Sequence, residues 1–263
     1  MALQGFNALI KLQSSAVVFT GEATTMSGTN TIYTITDTDK NIWDLNTTVD
    51  VFVFDADDAA EAGTTATNIT MDTHGLSAGD LIINTTRSSA KRVVTVVVDA
   101  DNVTVASVTD QASTDTIKKY NKQSASDTTK TFLEGKVTFD SAVARTVLVS
   151  GAYVTPATVA TGKSFSFSGT SDALENTPFG SEYREYQAGL VTGTGEISRF
   201  FVADDLFIDD LLSGSIKIVE LYPDSSGDPI QFYGIITSET IEAPVDGLIE
   251  ESISFQITKE MGI

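Results

Sequence analysis

The sequence predicts an all-β chain with one short flanking helix, arranged as a sandwich or barrel. The best strands alternate apolar and polar residues with a period of two, and turn-forming Gly, Asn, Asp, Ser and Pro recur roughly every ten residues. Only one stretch repeats at helical spacing. In it Phe207, Ile208, Leu211 and Leu212 share a face at i, i+3, i+4 intervals, so they are the expected packing residues of the helix. Asp204 can cap that helix, Asp204 and Asp205 suit the positive end of its dipole, and Gly214 stands where it should stop.

Taken in order, residues 6–12, 16–20 and 31–36 are expected to form short strands separated by Ser, Gly, Thr and Asn. Residues 49–54 contain Asp50 as their only polar member, which predicts a strand covered on both faces. Residues 69–71, 81–84, 92–98, 103–108 and 116–120 follow as a group of short strands. The clearest local signal is the pair of β-branched runs around Asp99-Ala100-Asp101-Asn102, a predicted hairpin.

Further strands are expected at 131–139, 146–150 and 152–155, then at 163–168, where Phe165 and Phe167 should point inward. Residues 182–191 and 196–203 are expected to flank Gly193-Thr194-Gly195 as a glycine-rich hairpin. After the helix, 215–222 leads into the turn Pro223-Asp224-Ser225-Ser226-Gly227-Asp228-Pro229 and its return strand. In the last strand Ile249, Ile253, Phe255 and Ile257 alternate with Glu250, Ser252, Ser254, Gln256 and Thr258. Glu251 breaks that register and is expected at the strand's start, near solvent or a partner chain.

Two polar stretches, 55–65 and 121–128, bracket the middle group of strands and have linker composition. They predict a small all-β domain at 56–127 inserted into a host domain made of 1–55 and 128–263, an arrangement that needs the insert's ends to lie close together. The insert has ten acids against six bases, net −4, which leaves −16 of the total −20 on the host.

Composition narrows function. The chain has 263 residues, 41% of them hydrophobic, enough to bury one large or two modest cores. No run of about 18 apolar residues is present, so no membrane-spanning helix is expected. The start, Met1-Ala2-Leu3-Gln4-Gly5, lacks the basic and apolar regions of a signal peptide, and synthesis in a cytoplasm is expected. Zero cysteines exclude disulfides, thiolate metal sites and cysteine nucleophiles. The single histidine, His74, has no second histidine beside it and is expected to be an ordinary loop residue. A net charge of −20 disfavours tight nucleic-acid binding, which depends on cations displacing phosphate counterions.

Candidate motifs do not hold up as sites. Gly162-Lys163-Ser164 resembles the end of a phosphate loop, but Ala157 stands where its first glycine belongs and an alternating strand follows instead of a helix. Gly193-Thr194-Gly195 lacks the third glycine of a dinucleotide site. Asp55, Asp57 and Asp58 lack the glycine and distal glutamate of a calcium loop. The sequons at Asn46, Asn68, Asn84 and Asn102 are expected by chance in a Thr-rich chain. No cofactor and no metal is expected, nor an enzyme active site.

The host resembles the tail tube, or major tail, protein of bacteriophages with long non-contractile tails. The resemblance rests on Tyr33-Thr34-Ile35-Thr36-Asp37, on 42–49 around Trp43-Asp44-Leu45, on Gly135-Lys136-Val137-Thr138-Phe139 and on 149–154. It continues through Thr177-Pro178-Phe179-Gly180, residues 221–226 and residues 243–252, and so covers most of the host. It implies six copies in a ring whose inner strands join into one barrel, with rings stacked into a conduit for viral DNA. It also implies tape measure, tail terminator and tail tip proteins as partners, no sequence-specific DNA contact, no membrane, and a place in the virion after synthesis in the host cytoplasm.

The insert at 56–127 departs from the family pattern and is expected on the tube exterior, because a lumenal insert of that size would block DNA. An acidic lumen would let DNA slide, since no cation holds its backbone. Glu239, Glu242, Glu250 and Glu251 cluster late in the host, and at least two of them are expected to face that lumen. The competing expectation is a secreted or surface-layer, adhesin-like β protein, which is also Thr-rich, acidic and free of cysteine; the lack of secretion and anchoring signals counts against it.

Overall fold

The computed structural model describes residues 9–13, 15–27, 31–65, 67–86, 89–106, 112–159, 162–177, 179, 183–201, 208–223 and 227–262. The chain opens with β1 (Leu9–Gln13), β2 (Val17–Ser27), β3 (Ile32–Ile35), β4 (Asp50–Ala59), β5 (Asn68–Thr70) and β6 (Leu81–Asn84). It continues with β7 (Lys91–Val97), β8 (Asn102–Val105), β9 (Thr116–Lys122), β10 (Thr128–Thr131), β11 (Lys136–Phe139) and β12 (Val147–Tyr153). Then come β13 (Pro156–Thr158), β14 (Gly162–Glu175), β15 (Tyr186–Phe200), the helix α1 (Ile208–Ser213), β16 (Ile216–Tyr222), β17 (Ile230–Glu242) and β18 (Glu250–Gly262). Among the described residues the fold is all-β with one short α-helix, in two antiparallel sheets. No helix among the described residues is long and apolar enough to cross a membrane.

The chain divides into two units, Ala16–Val154 and Met1–Ser15 with Thr155–Ile263. The boundaries differ from those the sequence suggested, and β4 explains why. Its first half pairs with β12 (Val51↔Val149) and its second half with β9 (Asp57↔Lys118), so one strand runs straight through the expected junction at residue 55. The acids there do not form a linker. Arg145 lies 3.5 Å from Asp55, Lys118 Nζ 3.5 Å from Asp57 and Lys119 Nζ 3.0 Å from Asp58. The β4–β9 ladder keeps the acidic stretch in the sheet, with Lys118 and Lys119 of β9 beside its acids.

Packing reinforces that continuity. Residues 56–127 do have their own core of Ile69, Met71, Ile82, Val94, Val103 and Ile117, with Ala60, Leu76 and Val105 beside them. A second cluster joins Phe52 and Leu148 to Leu81, Ile83 and Tyr120, so apolar side chains cross the expected boundary as freely as the sheet does. The predicted hairpin forms as β7 and β8, with Asp99 accepting from Asp101 N at 2.9 Å and from Asn102 Nδ2 at 2.8 Å. The strand expected at 131–139 is instead two, β10 and β11. Gly135 turns the chain between them at φ 55°, a left-handed value that glycine adopts without a Cβ clash. Trp43 is fully buried, edge-on to Phe132.

The other unit is a seven-stranded sheet in the order β13-β1-β16-β17-β18-β15-β14. Ile10, Val159, Ile197, Val219, Leu221, Phe232 and Phe255 fill the core on one of its faces, with Phe165 and Phe167 packed against them. Phe232 and Phe255 stack at 5.0 Å.

The hairpin expected at Gly193-Thr194-Gly195 is absent, because β15 is continuous through it. A Cβ on Gly193 would lie 2.4 Å from Ile257 Cδ1, and one on Gly195 would lie 2.4 Å from Phe255 Cζ. The glycines make room for large side chains on the neighbouring strand rather than for a turn.

Candidate functional site

The feature with functional content is a sheet face and its edges. β14, β15, β18 and the second half of β17 lie abreast, and alternation along the strands, with a bulge in β17 between Ile236 and Ser238, sends Phe165, Ile197, Phe255 and Ile236 to the apolar side. The residues between them form rungs across the other face. Ser164 pairs with Ser198, Ser198 with Ser252 and Ser252 with Thr240. In the next rung Ser166, Glu196, Ser254 and Ser238 stand in line, and in the third Ser168, Thr194 and Gln256. Ser198 and Ser252 hydroxyls lie 3.5 Å apart, and farther along Thr170 and Thr192 share a hydrogen bond of 2.8 Å. Within the three rungs Glu196 is the one ionisable side chain. The three rungs are therefore mainly hydroxylated, with Ile235 beside Gln256, and carry no cation of their own.

The four glutamates expected at the lumen separate onto the two faces. Glu242 and Glu250 pair at the end of the hydroxyl face, beside Phe200, and Glu250 forms an ion pair with Lys163. Glu239 and Glu251 lie on the apolar side. Glu251 is 1% exposed, and Arg199 Nε, itself fully buried, donates to its Oε2 at 2.6 Å. Glu251 lies at the start of β18, as expected, but it is a buried cross-strand partner there and presents no charge to solvent. Both carboxylate oxygens of Glu239 are buried as well.

The helix residues also fall in different environments. Leu211 packs on Ile236 and Ile253, whereas Leu212 is 78% exposed and so does not share the packing face expected for it. Adjacent helix positions point about 100° apart, so Leu212 turns away from the strands that Leu211 meets. Ile208 is the first described residue of the helix, and Phe207 lies outside the described residues, as do Asp204 and Asp205. Lys217 holds Asp210 at 2.9 Å.

His74 lies in a loop, as expected, and is firmly engaged there. It is buried, and its Nδ1 accepts from Leu76 N–H at 2.8 Å, which places the ring hydrogen on Nε2, donating to the Asp99 carbonyl at 2.9 Å. Lys119 Nζ donates to the His74 carbonyl at 2.9 Å and to Asp58 at 3.0 Å. With both ring nitrogens engaged, the side chain is a latch between loops. The buried role of His74 had no local signature in sequence. Glu196 did have one, the period-two pattern of its strand, hidden by the glycines around it.

No protein-family model and no curated protein matches the chain. Among solved structures it is similar to a chain from the tail of an empty gene transfer agent particle determined with C6 symmetry. The TM-score is 0.36 and identity 16%, over 41% of this chain and 84% of that one. It is also similar to a chain from the virion of a native gene transfer agent particle, with TM-score 0.35 and 15% identity over 40% of this chain and 86% of that one.

Proposed function

We propose that this chain is a structural virion protein, the subunit of a phage tail tube in which six copies close into a ring and rings stack into a conduit for DNA. The observation that carries the proposal is the pair of open edges on the block β14, β15, β18 and β17. β14 pairs with β15 alone, and β16 reaches along β17 only as far as Ile235, so residues 237–242 have no strand on their outer side among the described residues.

Four antiparallel strands put the first and last in opposite directions. Joining β14 of one copy to β17 of the next therefore continues the antiparallel alternation without a break. Unpaired backbone donors and acceptors on such edges drive association, and a head-to-tail contact between identical copies closes when its rotation divides a full turn. The sequence resemblance supports the same assembly and supplies the number six.

The face carried by these strands suits passage of a polyanion. A duplex is held by cations and slides past a surface that offers none, so hydroxyl rungs with one carboxylate per subunit neither trap it nor read its sequence. Residues 56–127 would lie on the exterior, and the tape measure, terminator and tip proteins would meet the bore and the two ends.

Negative-stain micrographs of the purified protein test the proposal. Closed rings or tubes of uniform width are the expected result. Monomers at all concentrations would overturn it, and flat arrays would favour a surface-layer protein.

A further inference from the structure

The turn between β17 and β18 carries the chain's one Asp-Gly step, Asp246-Gly247. Both are turn-forming residues, and this turn stands clear of the protein: residues 243–249 are all exposed, Val245 at 99%. The ladder below it begins at Glu242↔Glu250. Among the described residues no hydrogen bond or ion pair engages the Asp246 carboxylate or the Gly247 N–H.

Other aspartates that precede a small residue are held. Asp99 accepts from Asp101 N–H and Asn102 Nδ2. Asp115, 1% exposed, accepts from Asn84 Nδ2 and from Ala112 N–H. Asp72 accepts from the Thr73 hydroxyl, while the Thr73 N–H is turned to Asp101. Asp140 is exposed and has no carboxylate partner among the described residues, but Ser141 after it has a Cβ.

We infer that Asp246 is a site of spontaneous covalent modification, converting to isoaspartate through a cyclic imide shared with Gly247. The Gly247 nitrogen attacks Asp246 Cγ; the new C–N bond replaces the bond to the carboxyl hydroxyl, which leaves with the amide hydrogen as water. Glycine favours this step, because no Cβ crowds the nitrogen and the backbone reaches the conformation that ring closure needs. Water then opens the imide at one of its two carbonyls. Opening at Cγ restores aspartate. Opening at the main-chain carbonyl leaves the chain running through Cβ and Cγ, one carbon longer, with the α-carboxylate as the side group. Nothing is oxidised or reduced, and the composition is unchanged. The exposed α-carboxylate is a substrate for methyl esterification from S-adenosylmethionine by an isoaspartyl methyltransferase. This chemistry is the same whether or not the chain forms tubes.

The purified full chain tests it when aged at physiological temperature and near-neutral pH, labelled over time with an isoaspartyl methyltransferase and radioactive S-adenosylmethionine, and digested for peptide mapping. Label should accumulate in the peptide containing Asp246, beside a minor species lighter by one water, and should exceed label at Asp140 severalfold. Asp246→Glu keeps the charge but needs a larger, slower-closing ring, so it should lose the signal. Asp246→Asn should speed it, because a neutral amide is a better electrophile than a carboxylate. Both variants change an exposed turn residue and should melt with wild type, so a change in label reports the chemistry and not unfolding. No label at Asp246, equal label at Asp140, label that survives Asp246→Glu, or no acceleration in Asp246→Asn would each overturn the assignment.

Discussion

At the residue scale, the Arg199–Glu251 pair shows how burial changes what a charge does. Both side chains are dry, and Arg199 Nε donates to Glu251 Oε2 at 2.6 Å. Glu251→Ala should destabilise the protein by about 3–5 kcal/mol, because it removes the carboxylate paired with a buried guanidinium, whereas replacing both partners with apolar residues should cost far less. Urea unfolding of the singles and the double closes the cycle, and equal losses in all three would refute the coupling. The helix gives a second comparison within two adjacent residues. Leu211→Ala should cost about 1–2 kcal/mol, since a half-buried leucine gains roughly half of what full burial contributes, while Leu212→Ala should stay within about 0.5 kcal/mol. Melting curves that rank the two variants the other way would show that the helix packs by a different face.

At the element scale, alternation made the first half of β14, β18 and the β7–β8 hairpin legible, because in each the apolar residues are more covered than the polar ones between them. It failed where composition imitates punctuation. Asp55, Asp57 and Asp58 look like a linker until Lys118, Lys119 and Arg145 are brought opposite them, and that pairing joins positions far apart in the chain. Gly193 and Gly195 look like a turn until Ile257 and Phe255 fill the space they leave. The hydroxyl face was half legible: Ser164, Ser166 and Ser168 announced themselves, but their rungs depend on which strands become neighbours. That neighbourhood also fixes the open edges, and it yields a test. Along an edge strand successive N–H groups alternate between the paired and the open side, so one of Ser168→Pro and Gly169→Pro removes only an outward donor. That variant should melt within a few degrees of wild type yet remain monomeric on sedimentation. Rings formed by both variants would exclude β14 as a joining edge.

At the scale of the whole molecule, a charge of −20 is distributed in a way that bulk acidity does not explain. An ordinary solvent-facing sheet carries about 25–35% charged residues of both signs. The three rungs of the hydroxyl face hold Glu196 alone, while Glu242 and Glu250 gather at one end and Lys163 is tied to Glu250. If this face lines the bore, Glu196→Lys installs one cation per subunit at the centre of every ring, where each can displace a phosphate counterion from passing DNA. Tubes should assemble to normal length, because the residue is exposed and makes no edge contact, but genome ejection should slow at low salt. The delay should shrink as ionic strength rises, since the screening length falls from about 10 Å at 0.1 M to about 3 Å at 1 M. Val98→Lys, on an exposed valine of the Ala16–Val154 unit, is the matched control and should eject normally at both salts. Glu242→Lys should give an intermediate delay, being at the end of the face and not its centre. Ejection from Glu196→Lys particles that matches wild type at low and high salt would place this face outside the bore and return the question of the lumen to the other surfaces of the subunit.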